Sequence, residues 1–229
     1  MNLDSVSRAA RRFLPARLFA LLRRLGTATI TPVVFSLRSG HFRSSLASRA
    51  MTAGGEPLPW YTYPAIHFLE HRDWSCLRVL EFGAGQSTLW WASRAREIQS
   101  FEDDRNWFRE LTPKLPQNAQ LSLVRNDAGD CYPAGVFDVA VIDGLDRYLA
   151  TRLALQYLAP EGIVVVDNSE GSWDGAEEFP IIQLLHQEGF QRVDFYGFAP
   201  GVMKPHCTSL FFRGKPSVLN DPSPPVKRD

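Results

Sequence analysis

The stretch "VLEFGAGQST", residues 79–88, decides the fold. An apolar run carries an acid, Glu81, near its end. Gly83 and Gly85 follow two apart, and Ser87 and Thr88 then supply hydroxyls. A buried run, a glycine pair and a capping hydroxyl predict a strand, a tight turn and a helix.

The unit recurs along the chain. "LRVLEF", "IQSF", "AQLSLV", "FDVAVID" and "GIVVVDN" read as strands, and the valine run of the fifth suggests burial on both faces. "STLWWASRA", "NWFRELTPKL", "YLATRLALQYL" and "FPIIQLLHQEG" read as the helices between and after them. "FQRVDFYGF" and "CTSLFFR" close the series, the second strand returning soon after the first. Alternation of this kind predicts an α/β fold, a Rossmann-like seven-stranded mostly parallel sheet with helices on both faces.

Four segments are expected. Residues 1–50 form a basic N-terminal helical arm with nine arginines and one acid, Asp4, so the arm carries +8 and the neutral chain leaves −8 on the rest. Within the arm, "RAARRFLPARLFALLRRL" (8–25) has Phe13, Leu14, Leu18, Leu21, Leu22 and Leu25 at helical spacing, with Pro15 as a kink or helix start. A basic amphipathic helix points to peripheral membrane or protein contact. The longest uncharged run here, residues 25–37, is short of the roughly 20 residues a bilayer requires and contains Pro32, so a soluble protein is expected.

Residues 51–74 are a connector and a helix starting near Pro64, with Ile66, Phe68 and Leu69 as its apolar face. Residues 75–213 form the ligand-binding domain. Residues 214–229, with four prolines, read as a disordered tail. Cys76, Cys131 and Cys207 lack metal-type spacing and suit a reducing cytoplasm. The acidic body makes nucleic acid an improbable partner.

The glycine turn limits the ligand. A phosphate loop requires a lysine after its last glycine, and none stands there. The dinucleotide fingerprint needs a third glycine where Thr88 stands. Glu81 would repel a pyrophosphate and favour a ligand bearing positive charge. S-adenosylmethionine has an ammonium, a sulfonium and no phosphate. A second acid, Glu102, ends the next strand 19 residues after Gly83, where a carboxylate accepts ribose hydroxyls. Asp127 ends the third strand, placed for the adenine edge.

"VLEFGAGQST", "IQSFEDD" and "FDVAVIDG" together resemble the class I S-adenosylmethionine-dependent methyltransferases over about residues 75–213. The resemblance implies a seven-stranded sheet with an antiparallel last strand. It also implies a cofactor site of Glu81, Gly83, Ala84, Gly85 and Ser87 at the methionine part, Glu102 and Asp103 at the ribose, and Asp127 and Ala128 at the adenine. Ser87 departs from the family, where many members have a third glycine.

Asp143 ends strand four, and Asp167 and Asn168 end strand five 24 residues later. This set is similar to that of the small metal-dependent catechol-type O-methyltransferases, which implies Mg2+ on Asp143, Asp167 and Asn168. The match is partial, because those enzymes commonly carry an acid-Ala-acid-Lys run where this chain has Asp143-Gly144-Leu145-Asp146-Arg147. Asp-Gly and Asp-Asn are also ordinary turn chemistry.

Asp143 is the candidate catalytic base, directly or through the metal, with His206 and His186 behind it. Trp60, Tyr61, Tyr63 and Trp173 are candidates for a substrate wall or for packing of the N-terminal segment. The expected activity is methyl transfer to a small-molecule or glycan-type hydroxyl. The alternatives are an NAD-type oxidoreductase and a non-catalytic binding or assembly module.

Overall fold

The computed structural model describes residues 14–124, 133–144, 146–171 and 179–219. Asp127, Ala128, Cys131, Trp173, the first part of the arm and the end of the tail lie outside the described residues.

Seven strands form one sheet: β1 Arg78–Phe82, β2 Glu97–Glu102, β3 Ala119–Leu123, β4 Phe137–Ile142, β5 Leu158–Asp167, β6 Gln191–Gly197 and β7 His206–Phe212. Their order is β3-β2-β1-β4-β5-β7-β6. β3 to β5 are parallel, and β7 inserts antiparallel between β5 and β6. This is the expected α/β architecture.

Strand alternation splits the core into two layers. Val79, Val139, Val141, Ile163 and Val165 face one side, against Trp74, Trp90 and Trp91. Leu80, Ala140, Ile142, Val164 and Val166 face the other, against Ile181 and Leu185. Side chains of successive strand residues point to opposite faces, so a strand apolar at every position must be covered on both.

The helices are α1 Ala16–Arg38, α2 His41–Ala47, α3 Tyr63–Glu70, α4 Gln86–Ala92, α5 Arg105–Leu111, α6 Arg147–Tyr157 and α7 Phe179–Gln187. One expectation for the N-terminal segment is corrected. The helix begins after Pro15 and runs through Gly26 and Pro32 to Arg38, well past residue 25. By length and composition alone it is long and apolar enough to cross a membrane. α2 also lies within the helical arm, and an isolated bridge joins Met51 and Pro57 in the connector.

Thr62 ties this segment to the sheet. Its hydroxyl caps α3 at Ala65 N–H and donates to Phe195 O at 2.8 Å, and its N–H donates to Thr208 Oγ1 at 2.9 Å. Residues 214–219, expected in the disordered tail, instead turn back as a short 3-10 segment whose Val218 is buried with the tryptophan layer.

Candidate functional site

The sheet order reverses between β1 and β4, and ligands of such sheets bind at the carboxyl ends of strands around that reversal. Two glycine backbones meet there. Gly83 has φ +93°, and a Cβ on it would stand 2.5 Å from Gly144 N and 2.7 Å from Asp143 O. A Cβ on Gly144 would lie 2.9 Å from Gly83 N. Gly83 is therefore demanded by the β1–β4 junction, whatever the ligand. Gly85 differs: its backbone is extended, and a Cβ would meet only side chains, the Trp107 indole at 3.3 Å from Nε1 and Ser87 Oγ at 3.9 Å.

Glu81 does not stand on the crevice wall. It is fully buried on β1, beneath the glycine turn, where its Oε2 accepts from Thr88 Oγ1 at 2.5 Å and Ser100 Oγ at 2.6 Å. Its Oε1 is buried with no hydrogen-bond partner among the described residues. Burial pushes its pKa up to about 7, against the hydroxyls that pull it down. The expectation that Glu81 lines the methionine site is corrected to a place under the turn.

Glu102 is at the strand tip, as expected. Its Oε2 accepts the Ala84 N–H at 2.9 Å, and its Oε1 accepts those of Asp103 and Asp104 at 3.0 and 2.8 Å. One carboxylate thus fixes both the glycine turn and the turn after β2. Burial raises its pKa, with Asp103 adding to the rise. Asp104 caps α5 at Asn106 and Trp107. The Trp107 indole donates to Ala84 O at 2.6 Å and closes the side of the crevice.

These elements enclose a cleft of about 410 Å3, lined chiefly by residues 83–87, 102–104 and 143–144 with Trp60, Trp107 and Arg147. Of the lining residues, four are acids (Glu102, Asp103, Asp104 and Asp143) and one is a base, Arg147. The field of this cleft favours cations and opposes a pyrophosphate.

At the tips of β4 and β5 the guanidinium of Arg147 occupies the middle ground. It donates to Gly144 O at 3.2 Å, Asp167 O at 2.6 Å and Asn168 Oδ1 at 3.2 Å, and lies 3.8 Å from Asp143 Oδ1. The Asp167 carboxylate is turned into the protein, where Oδ1 accepts from Thr208 Oγ1 at 2.6 Å and lies 3.5 Å from His206 Nε2. Asn168 adopts φ +51°, which aims its side chain at Arg147.

This set does not fit Mg2+: a fixed cation already holds Asn168, and Asp167 is satisfied from behind. The set expected for the metal is corrected accordingly. Among the described residues the His, Cys, Asp and Glu group with metal-like spacing is His67, Glu70 and His71 on α3, away from the cleft.

Asp143 is the cleft acid nearest this junction. Burial, and next the charge of Asp167, hold its pKa well above the usual carboxylate range, opposed by Arg147. His206 opens β7 and is almost wholly buried; neither ring nitrogen makes a well-formed hydrogen bond. Burial lowers its pKa, but Asp167, Glu170 and the Trp60 backbone outweigh burial and raise it.

Gly83, Ala84, Gly85, Ser87, Glu102, Asp103 and Asp143 therefore meet at one cleft, with Trp60 at its edge, while Glu81, Asp167 and His206 lie beneath or behind it. Tyr61 is core, its hydroxyl accepting from Trp91 Nε1 at 3.2 Å, and Tyr63 packs on Phe35. His186 sits on α7, outside the cleft lining. Sequence reasoning missed Trp107 and the bridging role of Arg147. The signal for Arg147 was its position, one helical turn after Asp143.

No family model matches the chain, and no curated protein matches it. Solved structures do resemble it. The precorrin-6y C5,15-methyltransferase of Geobacter metallireducens aligns with a TM-score of 0.50 and 15% identity, over 66% of this chain and 88% of that one. The O-methyltransferase TomG of Streptomyces achromogenes, solved with S-adenosylmethionine, aligns at 0.46 and 17% identity, over 77% and 87%. An rRNA methylase of Streptococcus thermophilus aligns at 0.44 and 13%, over 64% and 92%. The strand order and the first of these show a Rossmann-like fold shared with that methyltransferase.

Proposed function

We propose that the cleft binds S-adenosylmethionine and that the protein transfers its methyl group to a hydroxyl of a small-molecule or glycan-type acceptor. The observation that carries this reading is the acid-rich cleft at the sheet reversal, four carboxylates against one arginine, above a tight glycine turn. An NAD-type ligand would bring two phosphates into that field.

The residues present fit the cofactor. Glu102 Oε2 has an acceptor site left for a ribose hydroxyl after the three backbone contacts of the carboxylate. Gly83, Ala84, Gly85 and Ser87 line the cleft where the methionine part would lie, with Asp103 beside the ribose. Asp127 and Ala128, outside the described residues, are assigned to the adenine on the sequence resemblance alone. Glu81, with a pKa pushed up to about 7, would add negative charge from below only in its ionised form.

The bound cofactor supplies a methyl group already activated on sulfur. The chain has only to align an acceptor oxygen, exclude water and take a proton. Asp143, with its raised pKa, is the group assigned to take that proton. No step is assigned to a divalent cation. The free thiols of Cys76 and Cys207 are consistent with work in the cytoplasm.

Methyl-labelled S-adenosylmethionine, offered with hydroxylated acceptors in the presence of a chelator, tests the reading. The expected result is label on the acceptor, reduced about 100-fold or more by Asp143→Asn. Absence of both transfer and S-adenosylhomocysteine binding would favour a non-catalytic module.

A further inference from the structure

The arm is built to meet a surface. None of the 23 residues of α1 is buried. Leu18, Leu21, Leu22 and Leu25 stand 43 to 53% exposed. At about 100° per residue they fall within an arc of roughly 100°. Arg17, Arg23 and Arg24 flank and back that arc, the placement from which long cationic side chains reach lipid headgroups while leucines enter the acyl boundary.

Beyond Leu25 the helix stays uncharged through Leu37, with Ile30, Val33 and Leu37 on an adjoining arc, each more than half exposed. The hydroxyls of Thr27 and Thr29 return to Arg23 O and Leu25 O at 2.9 and 2.8 Å, so two of the polar groups on this stretch are satisfied within the helix. The uncharged run is about 20 Å long, short of the ~30 Å of a bilayer core, and arginines stand at both of its ends. That favours lying in the interface over crossing it.

A second exposed apolar cluster adjoins the cleft. Phe42 and Leu46 of α2 are 53 and 74% exposed, and Met203, in the loop from β6 to β7, is 93% exposed. The two are in contact: Gly201 N–H donates to His41 Nδ1 at 3.2 Å, and a Cβ on Gly201 would strike the Ser44–Ser45 backbone at 2.7 Å. The same loop holds Trp60, whose indole donates to Pro200 O at 3.2 Å and whose ring lines the cleft.

We infer that α1, with the rim formed by α2 and the β6–β7 loop, docks on an anionic lipid bilayer, and that the acceptor is a membrane-borne, lipid-anchored hydroxyl compound reaching the cleft past Trp60. Charge selects this occupant: an anionic surface attracts the +8 arm and repels the −8 body, which orients the molecule. The acceptor class rests on the methyltransferase reading; the docking does not.

Co-sedimentation of the full chain with phosphatidylcholine vesicles, with and without phosphatidylglycerol, tests the docking. Binding is expected on anionic vesicles, falling at least tenfold on neutral vesicles or in high salt. Leu21→Glu with Leu22→Glu should abolish it, and Met203→Glu should weaken it several-fold. Both variants should bind S-adenosylhomocysteine as the parent does, so a failed docking stays separate from a failed cofactor site.

Equal binding to neutral vesicles, resistance to salt, or no binding at all would overturn the inference. So would a lipid-free dimer that Leu22→Glu dissolves, which would assign the leucine face to a second copy. For the acceptor, a hydroxylated headgroup should be methylated with a KM at least tenfold lower when lipid-anchored in vesicles than when free; equal KM values would overturn that part.

Discussion

The Thr88 hydroxyl donates to Glu81 Oε2 at 2.5 Å, and Thr88 Oγ1 in turn accepts the Gly85 N–H at 3.0 Å. The buried acid is thus wired to the glycine turn through one side chain. Any proton gained or lost at Glu81 is felt where the ligand binds.

Glu81 therefore gives the fold a pH signature. Its folded pKa of about 7 lies above the ordinary 4.5, so between those values the unfolded chain ionises while the folded chain keeps its proton. Its contribution to stability is full below pH 4.5 and lost as pH rises through 7, by up to about 3 kcal/mol. Urea unfolding from pH 5 to pH 8 should show this loss in the parent. Glu81→Gln, which cannot ionise, should flatten it.

The two glycines of the turn should separate structure from binding. Gly83→Ala places a Cβ 2.5 Å from Gly144 N at φ +93° and should cost about 2–4 kcal/mol in unfolding. Gly85→Ala meets only the side chains of Trp107 and Ser87 and should cost less than about 1 kcal/mol, yet it should weaken S-adenosylhomocysteine binding because its methyl enters the cleft. Calorimetry and denaturation on both variants check the split.

His206 should titrate above 6.5, because Asp167 outweighs its burial. Its stabilising contribution is present below pH 6.5 and lost as pH rises through its folded pKa. NMR titration should place the midpoint above 6.5, and Asp167→Asn should move it below that value, since burial then acts with far less opposition.

Arg147 should behave as the resident cation of the β4–β5 junction. Arg147→Met leaves Asn168 Oδ1 and Asp167 O without their donor and should cost about 2–3 kcal/mol. Millimolar Mg2+ should leave the parent Tm unchanged. A rise of several degrees would restore the metal reading.

The fold was legible because the apolar runs of β4 and β5 force a sheet covered on both faces. Glu102 was legible because a tip acid on the second strand has one crevice to face. Glu81 was misplaced for a reason that lies outside its own segment. Its burial depends on Ser100, which the parallel register sets directly opposite it on β2, and no local pattern fixes that register.

Arg147 reaches Asn168 because Asp146 and Asn168 both adopt positive φ, 47° and 51°, which turn spacing alone does not announce. Pro32 counted against the uncharged run, yet α1 continues through it, since propensity is a weak prior within a long apolar helix.

The most direct measurement is calorimetric titration of the purified chain with S-adenosylhomocysteine and, separately, with NAD+. A cleft bearing four acids should take S-adenosylhomocysteine with release of heat and saturation, lose at least tenfold in affinity on Glu102→Ala, and give no saturable binding of NAD+. Saturable binding of NAD+ with none of S-adenosylhomocysteine would contradict the account.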